Sequence, residues 1–383
     1  MLNKLKVPLK PYLKNQLISW AYTQSWVDRV YCFLRHFPCK VSTLRAKLPE
    51  QLGGTGEVKL NFIFNRYGEE NSDSPLYLVN IDQPMGLMAY FVLTIELLAV
   101  CETFTLTPVI YWNARLYWKD SEKLSANVFD YFFQPSEISL QEAMRSACAT
   151  AYRVLHRNRI FAYSDSYGMV ITDRDIAYVS DIIRRHIRLN RETEEHISKC
   201  ISNVLGGKKT LGIHVRGSGY KAKALNHPVH VEPTEHITEA KKAINECGFE
   251  RIFLATDEEE TISQFKDAFN DMVVTYDNTT RLAPGDSSSD QAMLAIDMIG
   301  SRPDHSYLMG LEVLTDAYTL AACQGLIAGL SNVSNSAVYI NGGKYEYKKI
   351  IYKGIYGYDI PFERTEINSV QFDKAFKRRI NSR

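Results

Sequence analysis

Apolar residues run along this chain in two rhythms, and the switches between them sketch the fold. Leu76-Tyr-Leu-Val-Asn-Ile81 is a short, almost unbroken apolar run of the kind that fills a buried strand. Asp82-Gln-Pro-Met-Gly86 reads as its turn, Leu87 to Glu102 as a helix, and Thr107-Pro-Val-Ile-Tyr-Trp112 as a second strand. Strand, helix and strand in that order predict a βαβ unit and a parallel sheet. Residues 114 to 170 are aromatic and irregular around Asn127–Pro135, and Asp173 to Val204 is one long helical pattern. Gly206-Gly207 stops that helix and marks the expected domain boundary.

Beyond that stop the alternation is cleaner. Thr210 to Val215 predicts a strand, Pro233 to Cys247 a helix closed by Gly248, and Arg251 to Thr256 another strand. Asp257-Glu-Glu-Glu260 opens the next helix with acids where the helix dipole favours them. Met272–Tyr276 is a strand, Gly310 to Cys323 a helix, and Leu326–Leu330 a short strand ending at Ser331-Asn-Val-Ser334. At the other end, residues 1 to about 50 read as helical, and Gln51–Gly56 as a loop. The expected class is α/β, with two Rossmann-like domains facing across a cleft: 1–205, 206–345 and a tail of 346–383.

Composition narrows the field. The 383 residues are 45% hydrophobic and 23% charged, as in soluble globular proteins. Lys and Arg total 45 against 44 acids, a formal charge of +1, so no global field recruits nucleic acid. The ends are locally basic: Lys4, Lys6, Lys10 and Lys14 at one, Lys377, Arg378, Arg379 and Arg383 at the other. A helical flap packed on the body is the favoured reading of the amino end, with peripheral membrane docking as the alternative. The apolar stretch Met85–Cys101 contains Thr94 and Glu96 and reads as a buried helix, not a membrane span. No secretory signal pattern is read at the start, and Cys32, Cys39, Cys101, Cys148, Cys200, Cys247 and Cys323 are scattered without CxxC pairs. Reduced thiols in a cytoplasmic protein are expected.

The chemistry concentrates at three strand ends in the second half. His214 and Arg216 lie two apart and emerge on one side of their strand, beside Gly217, Ser218 and Gly219. An arginine fork next to backbone that glycine leaves open suits a pyrophosphate. Asp257 either caps the helix after it, or orients Arg216 or meets the donors of a nucleotide. Ser331, Asn332, Val333 and Ser334 open a helix whose N–H groups can bind an anion, or simply cap it. Asp316, fifteen residues earlier, could accept from the N–H groups of a purine. No GxxxxGK[ST] loop and no GxGxxG before a helix are present, which argues against a P-loop NTPase and a classical NAD domain. His227, His230 and His236 lack metal-ligand spacing, so no metal is expected.

Taken in order, these residues resemble a known family. Ile213-His-Val-Arg216, His227-Pro228, Phe253–Asp257, Asp316 and Ser331–Ser334 are similar to the H-x-R fucosyltransferases, which include α-1,2, α-1,6 and protein O-fucosyltransferases. The α-1,6 type, with the nodulation fucosyltransferases, fits best, over about residues 205 to 345. The resemblance implies a GT-B fold, an acceptor-side first domain, and metal-independent, inverting transfer from GDP-β-L-fucose to a glycan hydroxyl. By position, Arg216 would grip the β-phosphate and His214 would lie near the ribose and phosphates. Asp316 would bind guanine, Ser331 and Asn332 the pyrophosphate, and Asp257 would support the site. The chain departs from the family at Gly217 and Gly219, where a second arginine and an acid are common. It has Ala224 or Leu225 in place of the candidate base glutamate. A base could then be His227, His230 or Glu232, or the reaction could need little base if bond breaking runs well ahead of attack. Other readings are a GT-B transferase using a different nucleotide sugar, and a non-catalytic sugar-nucleotide or glycan-binding module.

Overall fold

The computed structural model describes residues 39–47, 57–81, 85–120, 126–151, 173–217, 227–277, 279–282, 302–354 and 356. The predicted amino-terminal flap up to residue 38, the loop Gln51–Gly56 and the site residue Ser218 lie outside them. Two five-stranded sheets carry the fold, as the α/β pattern predicts.

The first sheet contains β1 (Cys39–Lys47), β2 (Glu57–Asn65), β3 (Leu76–Ile81), β4 (Thr107–Trp112) and β5 (Ala149–Ala151), in the order β1-β2-β5-β3-β4. β5 runs parallel to β3. Thr107 N donates to Pro75 O and Asn113 N to Ile81 O, the same offset at both ends, so β4 runs with β3 as the βαβ pattern requires. The helix between them spans Leu87–Phe104. It is long and apolar enough to cross a membrane, with mean hydropathy 1.8, yet 83% of it is buried within the protein. A helix apolar on every side belongs in an interior, which is the role the sequence suggests for it.

Residues 39–47 correct the helical expectation for the first fifty residues. They pair antiparallel with β2 over nine positions, from Cys39↔Asn65 to Lys47↔Glu57. Thr43 Oγ1 donates to Asn61 Oδ1 at 2.8 Å across the pair. A hairpin partner some twenty residues away leaves no mark on local periodicity. β2 also runs antiparallel to β5, so this hairpin extends a parallel core.

The second sheet contains β6 (Thr210–Val215), β7 (Arg251–Thr256), β8 (Val273–Val274), β9 (Gly325–Gly329) and β10 (Tyr347–Ile351), in the order β10-β9-β6-β7-β8. Every pairing in it is parallel. Period-2 alternation sends Leu211, Ile213, Val215, Ile252 and Leu254 to one face, against the helices Pro233–Cys247 and Glu259–Phe269 through Ala240, Ala243, Ile262 and Phe265. Phe253, Ala255, Leu326 and Ala328 face the other way, onto Ile176, Leu205, Leu320, Ala337 and Val338.

That second face moves the expected boundary. The pattern read as one helix from 173 to 204 is two, Asp173–His186 and Arg191–Leu205, because Asn190 leaves helical backbone and caps the second through Thr193 N at 2.9 Å. Both lie with the second sheet, although the sequence places them in a 1–205 domain. Gly206 does end a helix in left-handed backbone at φ 54°, but a helix stop is not a domain boundary. The two compact units are built from Met1–Asn80, Glu96–Ile110 and Ser136–Phe161, and from Ile81–Ile95, Tyr111–Pro135 and Ala162–Arg383. The expected tail from 346 begins inside the sheet as β10.

Candidate functional site

The order of the second sheet says where to look. The chain steps from β6 outward through β7 to β8, then returns to the other side of β6 for β9 and β10. Where strand order reverses, the connections leave toward opposite faces and open a crevice at the carboxyl ends. That reversal falls between β6, which delivers His214, Arg216 and Gly217, and β9, which delivers Ser331. Across it, Ser331 Oγ and His214 Nδ1 are 3.4 Å apart.

Asp257 resolves in favour of orienting Arg216. Its Oδ2 takes Arg216 Nη1 at 3.0 Å, and its Oδ1 accepts from Gly217 N at 3.0 Å. The helix begins at Glu259 with Glu258 as its cap residue, so Asp257 is not the cap. One carboxylate thus fixes both the guanidinium and the backbone just beyond it. The Arg216 side chain remains 35% exposed.

Gly217 has a different task from the one its position suggests. A Cβ there would collide with the Glu258 carboxyl group. Glu258 is buried and accepts from Thr261 Oγ1 at 3.2 Å, so its carboxylate fills the space that the sequence reading leaves for a ligand.

At the end of β9, Ser331 and Ser334 form a reciprocal capping box for the helix Asn332–Asn341. Ser334 N donates to Ser331 Oγ at 3.1 Å, Ser331 N donates to Ser334 Oγ at 2.9 Å, and Ser334 Oγ donates to Gly329 O at 2.8 Å. Ser334 is fully buried and committed to this brace. Asn332 and Val333 are partly exposed, and their backbone N–H groups stand at the first turn, where a helix has no acceptors of its own.

Asp316 lies on the helix His305–Ala322, which starts five residues before its predicted position. Desolvation lifts its pKa to about 7, with Glu312 and Asp257 adding to the rise and Arg281 opposing it. His214 moves the other way. Burial, and then the charge of Arg216, pulls its pKa down to about 3, so the imidazole is neutral near pH 7.

The three base candidates separate. His227 is half-buried, and burial and then Arg216 lower its pKa, which keeps it neutral within the field of the guanidinium. His230 is buried, with Nε2 3.6 Å from Glu232. Glu232 is the exposed cap residue of the helix Pro233–Cys247 and shares its capping box with Glu235.

Sequence reading missed three members of this neighbourhood: Glu258, Arg281 and Tyr117. Tyr117 is buried, accepts from Leu87 N at 2.8 Å and lies within the field of Arg216. The Pro-free aromatic run Leu116-Tyr-Trp118 is its only sequence trace. Among the described residues, no three His, Cys, Asp or Glu side chains are grouped to hold a metal ion. Cys101, Cys148, Cys200, Cys247 and Cys323 are free thiols.

The second unit is therefore a doubly wound parallel sheet with a charged constellation at its reversal point. No family model and no curated protein matches the chain. Among solved structures it is similar to NodZ alpha-1,6-fucosyltransferase soaked with GDP-fucose, at 14% identity over 69% of this chain and 91% of that one, TM-score 0.44. It is similar to fucosyltransferase NodZ from Bradyrhizobium at 14% identity, over 69% and 92%, TM-score 0.40. It is also similar to POFUT1 in complex with GDP, at 8% identity over 75% and 99%, TM-score 0.46.

Proposed function

We propose that this chain is an inverting glycosyltransferase of GT-B type that moves L-fucose from GDP-β-L-fucose to a hydroxyl of a glycan acceptor. The observation that carries the reading is Arg216, locked by Asp257 at the carboxyl end of the central strand, beside the strand-order reversal. As the sugar's C1–O bond breaks, GDP gains negative charge, and fixed cationic and N–H donors stabilise that charge without reorganising. Arg216 supplies the cation, and Ser331, Asn332 and Val333 supply donors to the pyrophosphate. His214, being neutral, acts by hydrogen bonding near the ribose and phosphates. Asp316 takes the N–H edge of guanine.

The acceptor oxygen attacks C1 from the face opposite the departing diphosphate, and its proton passes to a base. His227 suits that step best of the three candidates, because its lowered pKa leaves it unprotonated at neutral pH. Charge stabilisation in this scheme is supplied by protein groups and needs no metal. The proposed setting is cytoplasmic, with the basic amino end available to an anionic membrane surface.

A panel of nucleotides in thermal denaturation, with assay of GDP-fucose hydrolysis in the absence of acceptor, tests the reading. Selective stabilisation by GDP is expected, about 2.7 kcal/mol at a hundredfold excess over Kd. Slow release of fucose should accompany it. Response to a uridine nucleotide alone would reassign the donor, and silence to every nucleotide would overturn the enzyme reading.

A further inference from the structure

Helical spacing singles out one stripe on the helix His305–Ala322. Glu312, Asp316 and Thr319 are four and three residues apart and lie along a common face. Glu312 Oε2 accepts from Thr280 N at 3.3 Å, and Thr319 Oγ1 meets the Tyr276 hydroxyl at 2.7 Å. The stripe is thus pinned at two points to the segment that follows β8. Asp316 lies between those points, and Arg281, from the same segment, is the cation set against it.

Arg281 is held from several sides. Its Nη2 donates to Thr275 Oγ1 at 2.6 Å and to Tyr276 O at 2.7 Å, and its Nη1 is 3.6 Å from Glu259. Its side chain is only 6% exposed. Its Nε is buried and has no hydrogen-bond partner among the described residues. A guanidinium bonded through one terminal nitrogen and ion-paired through the other, with Nε unspent, is a fixed and nearly buried charge.

We infer that Arg281 is the positioning residue of the base subsite, biasing the Asp316 carboxylate toward the ionised form that accepts from guanine, an inference that rests on the nucleotide reading above. Guanine presents N1–H and N2–H donors, and a carboxylate accepts both, whereas a protonated carboxyl offers an O–H in place of one acceptor. The surroundings of Asp316 otherwise work against the charged form. Glu312 lies one turn before it, Asp257 comes from the end of β7, the Tyr276 hydroxyl is neutral, and the site is largely desolvated. Arg281 is the opposing cation, and it acts through Asp316 without needing to touch the base.

The test uses the full chain with Arg281→Gln, Arg281→Lys and Asp316→Asn, each checked for cooperative unfolding. Carboxyl-carbon NMR of the ligand-free protein follows Asp316, whose signal is assigned by its loss in Asp316→Asn. Its midpoint should rise by about one unit in Arg281→Gln and return partway in Arg281→Lys, which keeps the charge but gives up the fork. GDP affinity between pH 6 and 9 should tighten in the wild type as pH rises through the Asp316 midpoint. In Arg281→Gln it should be about threefold weaker at pH 7.5 and about tenfold weaker at pH 6, with its rise displaced to higher pH, the tenfold being that one-unit shift expressed as affinity below both midpoints. Donor KM should rise while kcat at saturation holds. An Asp316 midpoint identical in wild type and both Arg281 variants overturns the inference even if GDP binds well. If Arg281→Gln does not fold, Arg281→Lys alone decides by the same midpoint. A wild type that ignores GDP at every pH overturns the nucleotide reading itself.

Discussion

The two ends of the second sheet are made by the same strands and spend their polar groups in opposite ways. At the amino end, Lys209 Nζ reaches Glu346 at 2.7 Å and the Cys247 carbonyl at 2.6 Å. Thr210 N donates to Gln324 Oε1 at 2.8 Å, and Glu346 N to Gln324 O at 2.8 Å. Donors there are consumed by neighbours within the protein. At the carboxyl end, Arg216 is clamped while a third of it stays exposed, and Asp316 and His214 have pKa values displaced in opposite directions. A strand end that closes its own hydrogen bonds is a seam. One that keeps a clamped guanidinium partly exposed is what the proposed pyrophosphate site would require.

The largest break in this comparison should come from Arg216→Ala. Donor turnover should fall by about 10²–10³-fold or more. The melting temperature should move little, because the clamp to Asp257 is partly solvated. A folded variant with turnover close to wild type would remove the site assignment.

His214 sharpens the contrast through pH. Its folded pKa of about 3 is below the ordinary value of 6.5, so between those limits the unfolded chain binds a proton that the native state refuses. Stability from this residue is therefore full above 6.5 and lost as pH falls toward 3. Between pH 4 and 6, wild type should lose about 1.4 kcal/mol per pH unit more than His214→Gln, as measured by denaturant titration. Parallel slopes in the two proteins would show that His214 is not excluded from protonation.

Gly217→Ala forces a methyl group into Glu258 and should destabilise by about 1–3 kcal/mol. Pairing it with Glu258→Ala should recover part of that loss, and absence of any recovery would place the conflict elsewhere. The smallest effect belongs to the opposite end of the sheet. Lys209→Ala should cost about 1 kcal/mol or less in stability and leave turnover unchanged, since its ion pair is half-exposed.

Local pattern made much of this legible. The strands 210–215 and 251–256 and the helix 233–247 stand where the sequence predicts them, because each is a short run whose apolar residues decide its own state. The Arg216 and Asp257 candidates were visible as charged residues at strand ends. Their union was not, since it depends on β6 and β7 being neighbours 41 residues apart. The order reversal beside β6 is likewise a property of topology.

Other misses have particular causes. β10 carries Lys348 and Lys349 inside an edge strand, so its pattern reads as polar tail. The helix His305–Ala322 starts behind Asp304, in left-handed backbone at φ 51° with no side-chain cap, so the usual start signal is missing. Glu258 reads as one acid among four in a helix-opening run, and the missing Cβ of Gly217 is what leaves room for it. Arg281 owes its place to bonds with Thr275 and Tyr276 that no spacing rule announces.

The interlocked serines at the end of β9 carry one more consequence. Because Ser334 ties the helix start to Gly329 and Ser331 at once, the first turn is braced before any ligand is bound. For the anion proposed at that edge, capture would then cost almost no conformational entropy, and association should be limited by encounter instead of by segmental folding.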